Sequence, residues 1–263
     1  MTYLQFLGVF IAPLLLLTGL LAHRAHRSSV SDARLWPVGL AVLGLLWAAA
    51  WVWTTPWDSW IIRNGVWSYP QGRVIATLFR VPLEEYLFMA LQTLIVGLWT
   101  LYRISRTEPD LCAPLSASGG RLRIAWGTAW VIAAAAGAVL VQWQQGTYLG
   151  SMLLWFGPLI AVQNLVGADV LRACRTERLT SLLVPVLYLW MADRIAIGLN
   201  VWHISTTRTY GIKLLGLPLE EALFFLITSM LLVNGLILAT HRRIQQRIRR
   251  PSTVRPARER VTP

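Results

Sequence analysis

The chain has 263 residues, 56% of them hydrophobic and 14% charged, with 14 Trp and a formal net charge of +12. So apolar a composition excludes a disordered segment and, despite the basic balance, a nucleic-acid-binding module; it also argues against an ordinary soluble domain. At ~20 apolar residues per crossing, such a chain holds about seven membrane spans with short loops and no large soluble domain.

In chain order, apolar runs bounded by charges and Pro/Gly clusters predict spans over 3–22, 36–53, 83–102, 124–142, 148–171, 180–200 and 216–240. The first run has no positive charge ahead of it and no small-residue cleavage pattern behind it, so it reads as a span rather than a signal peptide. After the second run, Trp51, Trp53, Trp57, Trp60 and Trp67 crowd one rim, with Trp202 and Tyr210 after the sixth. Such residues either form the interfacial aromatic belt or, for the duplicated Trp67 and Trp202, face inward and stabilise a cation. Cys112 and Cys174 have neither zinc-site nor redox-pair spacing and are expected as free thiols. Asn164 and Asp169 do not make a diphosphate-binding pattern, and Asp169 reads as a span-end residue.

Arginines mark the sides. With the N-terminus outside, Arg24, Arg27, Arg34, Arg103, Arg106, Arg121, Arg123, Arg172, Arg175, Arg178 and the eight from Arg242 to Arg260 are cytoplasmic, which is 18 of the 24 basic residues. Arg63, Arg73, Arg80, Arg194, Arg208 and Lys213 remain outside, so the positive-inside rule predicts an outer N-terminus and a cytoplasmic C-terminus. The HRRIQQRIRR stretch suits anionic headgroups as a topology anchor.

The sequence also repeats itself. TYLQFLGVFIAPL from Thr2 aligns with TYLGSMLLWFGPL from Thr147, placing Tyr3 on Tyr148 and Pro13 on Pro158. Asp58 and Trp67 match Asp193 and Trp202, and VPLEEYLFM (81–89) matches LPLEEALFF (217–225) after a one-residue gap. The predicted fold is therefore an all-α membrane protein of seven transmembrane helices: a three-span repeat over 2–105, a linker with the fourth span over 106–146, a second repeat over 147–248, and a basic tail over 249–263 expected to be disordered. An odd linking helix gives both repeats one orientation, so both copies of each motif lie in the same leaflet.

Asp58, Glu84, Glu85, Asp193, Glu220 and Glu221 are half of the twelve acids, gathered at the outer ends of four spans. One P-L-E-E could simply start a helix, with proline in the first turn and acids on the positive dipole end. Two copies in register, each with an upstream Asp and Trp, point to function, because ionisable groups at membrane depth are costly. Burial and like-charge repulsion favour a protonated carboxyl and the helix dipole an ionised one, so neighbouring acids can divide into acid and base. On a helix Glu84 shares a face with Leu87 and Phe88, and Glu220 with Leu223 and Phe224.

No G-x-G-x-x-G or P-loop occurs, His23, His26, His203 and His241 lack ligand spacing, and Lys213 lies outside the spans, which disfavours a retinal Schiff base. No metal or cofactor is therefore expected.

Two P-x-E-E motifs at span starts, with Gly65-Val66-Trp67 and Asn200-Val201-Trp202 upstream, resemble the small integral-membrane lycopene cyclases, in the form that fuses both repeats. The resemblance covers nearly the whole chain up to about residue 243; Met89 stands opposite Phe225, and Ser68 opposite His203. It implies cofactor-independent cyclisation of lycopene end groups to β-rings in a cell membrane, as an intramolecular lyase or isomerase. A proton adds to a terminal double bond, an internal double bond closes the ring on the tertiary cation, and loss of a second proton gives the ring olefin. Glu84 and Glu220 are the expected principal acids, Glu85 and Glu221 their tuning partners, and Asp58 and Asp193 bases or supporting groups. Trp60, Trp67, Phe88, Trp202 and Phe224 are the expected substrate contacts. Its partners would be lycopene, the lipid bilayer and other carotenoid-pathway enzymes, and no nucleic acid. With both clusters in one leaflet, a rod-like substrate presents one end at a time, so two rings would require a released monocyclic intermediate.

Two alternatives share parts of this pattern. A seven-span solute transporter with parallel repeats would need polar pore-lining residues near the midplane, where these spans have few. A carotenoid end-group hydratase would share the protonation but trap the cation with water.

Overall fold

A computed structural model describes residues 1–28, 34–106 and 119–249. Among the described residues, seven helices are long and apolar enough to cross a membrane: α1 (Tyr3–Ser28), α2 (Leu35–Arg63), α3 (Leu83–Ser105), α4 (Gly119–Leu140), α5 (Thr147–Ala173), α6 (Arg175–Gly198) and α7 (Leu219–Thr240). A short α8 (Arg242–Arg249) follows, and most of the basic tail predicted over 249–263 lies outside the described residues.

α1 starts on a capping box: Thr2 Oγ1 accepts from the Gln5 N–H, and Gln5 Oε1 from that of Thr2. Ahead of Pro13 the helix widens into a π turn over Leu7–Ile11, where the Phe10 carbonyl accepts the Tyr188 hydroxyl at 2.6 Å.

α2 departs most from expectation, running ten residues past 53, through Pro56 to Arg63. Pro56 lacks the N–H that would pair with Val52, but neighbouring carbonyls find other donors: Thr55 Oγ1 bonds Trp51 O at 2.6 Å, and the Trp155 indole bonds Trp53 O at 3.0 Å. Such side-chain partners let a membrane helix carry a proline. The extension places Asp58 on the helix rather than in a loop. At α7 the opposite occurs: Leu217–Pro218 form a strand, and the helix starts three residues later than predicted.

Helices α3 and α7, which begin with the paired glutamates, are the most enclosed. α3 packs on α1, α2, α6 and α7, and α7 on α2, α3, α5 and α6. Polar side chains join them, with Gln92 donating to Thr228 at 3.0 Å and Trp99 to the Thr180 carbonyl at 3.1 Å. α4 and α5 meet backbone to backbone: a Cβ on Gly137 would sit 2.6 Å from the Gly150 carbonyl oxygen.

The 64–82 and 199–218 connections contain short strands that no residue pattern foretold, being two residues each. β1 (Trp67–Ser68) pairs antiparallel with β4 (His203–Ile204), in the register Trp67↔Ile204 and Ser68↔His203. β2 (Thr77–Leu78) and β3 (Val81–Pro82) form one hairpin, β5 (Lys213–Leu214) and β6 (Leu217–Pro218) another. The tips are left-handed, at φ 51° and 71° for Phe79 and Arg80 and 51° and 87° for Leu215 and Gly216. These connections lie at the end where the chain starts, since the Tyr3 N–H donates to the Arg73 carbonyl at 2.9 Å. Asp169 is at the other end, 4.0 Å from Arg123.

The expectation of free thiols fails: Cys174 is disulfide-bonded. Separation along the sequence carries no information on distance across a bundle. Cys112 lies outside the described residues.

Candidate active site

Pro82 and Pro218 cap α3 and α7, one position ahead of the first turn, and the glutamates occupy the second and third helical positions. Adjacent helical side chains diverge by ~100°, so the two acids of each pair turn to different surroundings. Glu84 turns back to its loop, where Oε1 accepts the Ile75 N–H at 2.8 Å; Glu220 Oε1 accepts the Tyr210 N–H at 2.7 Å. Each thereby satisfies a loop amide next to a buried helix start. Glu85 and Glu221 turn inward. Glu85 Oε2 accepts the hydroxyls of Tyr3 at 2.8 Å and Tyr69 at 3.0 Å, and Glu221 Oε2 accepts that of Tyr148 at 2.7 Å.

All six acids are buried, none more than 6% exposed. Asp193 Oδ1 accepts the Trp202 indole N–H at 2.9 Å. Asp58 lies equally deep, yet neither of its oxygens has a hydrogen-bond partner among the described residues, and the Trp67 indole nitrogen has none there either.

Between α3 and α7 is a cavity that draws on both halves of the chain. Tyr3, Trp67, Tyr69, Glu85 and Phe88 line it from one half, and Asp193, Trp202, Glu221, Phe224 and Phe225 from the other. Its walls carry two groups of packed aromatic rings. Phe224 stacks on Trp57 at 5.4 Å and meets Trp67 edge-on at 5.5 Å, Trp202 lies 4.7 Å from Tyr3, and Phe88 meets Phe225 at 5.9 Å. Trp67 and Trp202 are 5% and 8% exposed, whereas Trp51 and Trp53, at 37% and 40%, face outward on the rim. Burial and then the charge of Glu85 push the Tyr69 phenol well above its ordinary value of 10.0, so it stays a donor.

Of the residues singled out in the sequence, Glu85, Glu221, Asp193, Trp67, Phe88, Trp202 and Phe224 meet at this cavity. Glu84 and Glu220 face the loops, Asp58 is buried without lining the cavity, and Trp60 packs half-buried against the aromatic core. Sequence reasoning gave no role to Tyr3, Tyr69, Tyr148 or Phe225. Tyr3 and Tyr148 were visible as an aligned pair; Tyr69 has no counterpart in the second half and left no such signal.

Carboxyls that can give and take protons, enclosed by π faces that tolerate a cation, suit acid-catalysed chemistry on an apolar molecule. No family model matches the chain, and no solved structure matches it. Among curated proteins, it is 37% identical over 242 residues to the lycopene beta-cyclase of Halobacterium salinarum, covering 90% of this chain and 95% of the relative. It is also 37% identical over 193 residues to the bifunctional lycopene cyclase/phytoene synthase of Leptosphaeria maculans, covering 69% of this chain and 33% of the relative. The corresponding bifunctional protein of Aspergillus niger is 35% identical over 191 residues. With near-complete coverage of a single-function relative, the chain belongs to the lycopene cyclase family of carotenoid biosynthesis.

Proposed function

We propose that this chain cyclises the end groups of lycopene to β-rings, as an intramolecular lyase or isomerase in a cell membrane. The carrying observation is that Glu85 and Glu221, one from each half, share a single aromatic cavity. Cyclisation moves protons and rearranges double bonds without net oxidation, so an acid, a base and a cation-tolerant wall suffice. Glu85 and Glu221 take the roles that the sequence offered to Glu84 and Glu220, whose Oε1 atoms are held by loop amides. Asp193 fixes the Trp202 ring, and the buried Asp58 is a supporting group. Trp67, Trp202, Phe88 and Phe224 form the substrate wall. Aromatic faces around the acids favour ring closure over trapping by water, and lycopene cyclase relatives support this reading over transport.

We further read 2–105 and 147–248 as repeats facing one way, with 106–146 as linker. Support comes from matched bonds: Tyr3 to Glu85 and Tyr148 to Glu221, and the Tyr3 and Tyr148 N–H groups to the carbonyls of Arg73 and Arg208 at 2.9 and 3.3 Å. The 18-to-6 arginine and lysine bias supports an outer N-terminus and a cytoplasmic C-terminus. Expression in lycopene-accumulating bacteria, with pigment analysis beside Glu85→Gln and Glu221→Gln, is the direct test. Unchanged lycopene with the wild-type chain sinks the function; full cyclisation by both variants sinks the acids.

A further inference from the structure

Resting on that cyclisation, we propose that the two inward glutamates have unequal jobs: Glu221 delivers the proton to the end group, and Glu85 removes the last one. Tyr69 is the positioning residue that makes them unequal.

Up to a point the halves are alike, each laying a tyrosine from a helix start onto its inward glutamate, at 2.8 Å for Tyr3 and 2.7 Å for Tyr148. The likeness then breaks. Glu85 Oε2 accepts a second hydroxyl, that of Tyr69, at 3.0 Å. Aligning Gly65-Val66-Trp67 with Asn200-Val201-Trp202 puts Ile204 opposite Tyr69, a side chain with nothing to donate. The two phenols on Glu85 form one unit, their rings stacked at 6.2 Å and 14°. Tyr69 follows the strand by which its loop pairs with the other, so the extra donor is fixed by the crossing of the loops. Hydrogen bonds from O–H groups stabilise a carboxylate more than a carboxylic acid. Two of them on one oxygen make Glu85 the standing acceptor, and Glu221, with one, the acid.

In the step itself the Glu221 carboxyl proton adds to the terminal double bond, leaving Glu221 a carboxylate and the end group a tertiary cation. The internal double bond then supplies the electron pair for the new C–C bond. The ring cation loses a proton to the Glu85 carboxylate, and that electron pair becomes the ring double bond. Substrate and product are isomers, and moving one proton from Glu85 to Glu221 resets the pair.

The test uses the full chain in lycopene-loaded vesicles in D2O, with deuterium read by mass spectrometry and folding checked by thermal unfolding. Glu85→Gln is expected to make no rings yet return lycopene carrying deuterium, because protonation still occurs and reverses. Glu221→Gln should return lycopene without deuterium. Tyr69→Phe keeps the ring on Tyr3 and should lower kcat about tenfold with KM little changed, while labelling unreacted lycopene; a merely structural role would not raise that label. Deuterium in lycopene from Glu221→Gln, or none from a folded Glu85→Gln, overturns the assignment, as does a Tyr69→Phe variant with wild-type turnover and labelling. A wild-type chain that neither cyclises nor labels lycopene removes the underlying function instead.

Discussion

Two glutamates side by side in sequence sit in different environments because a helix turns ~100° per residue. Glu84 and Glu220 accept loop amides, while Glu85 and Glu221 face the cavity. Glu85→Gln or Glu221→Gln is therefore expected to cut cyclised pigment by at least ~100-fold. Glu84→Gln and Glu220→Gln, whose amide oxygen still accepts the loop N–H, should cost less than ~10-fold; pigment yield at matched expression distinguishes the pairs. The tryptophans offer a similar contrast. Trp202→Phe leaves buried Asp193 without its indole donor and should lower stability by ~1–3 kcal/mol in thermal unfolding. Trp67→Phe breaks no hydrogen bond among the described residues and should cost less. Which glutamate faces inward was not legible, since both positions satisfy one motif; the neighbours that decide it, Tyr3 and Tyr69, are remote in sequence.

At the scale of elements, the spans were legible because apolar length is a one-dimensional property, and the misreadings fall where tertiary partners compensate. Pro56 reads as a terminator, yet α2 continues because Thr55 and Trp155 occupy nearby carbonyls. The hairpin tips hold Phe79-Arg80 and Leu215-Gly216 in left-handed backbone, which costs a bulky residue ~1–2 kcal/mol. Replacing Phe79-Arg80 by Asn-Gly, the pair suited to that turn, is expected to raise stability by about 1 kcal/mol in detergent unfolding. Gly137→Leu should do the reverse, since its side chain would enter the space of the Gly150 carbonyl and force α4 from α5.

For the whole molecule, a cavity lined from both halves means that neither half holds a complete site. Separate expression of the segments before and after 107–118 should leave lycopene untouched, and co-expression should restore cyclisation, read as pigment. Glu85 and Glu221 meet at one cavity, so the two ends of a long substrate react there one at a time. A single-turnover time course should therefore show a monocyclic product rising before a bicyclic one; a bicyclic product without it would contradict the single shared site.

The sequence by itself determined the membrane class, the number of spans, the bias of positive charge, the duplicated acids and the family resemblance, because each depends on composition or on spacing along the chain. The bundle alone decided that two acid clusters close one cavity, that Glu85 and Glu221 rather than Glu84 and Glu220 face it, and that Tyr69 reaches only one of them. Those outcomes depend on crossing loops and on helix rotation, which bring together residues such as Tyr3 and Glu85 that lie 82 positions apart. No local pattern encodes that distance.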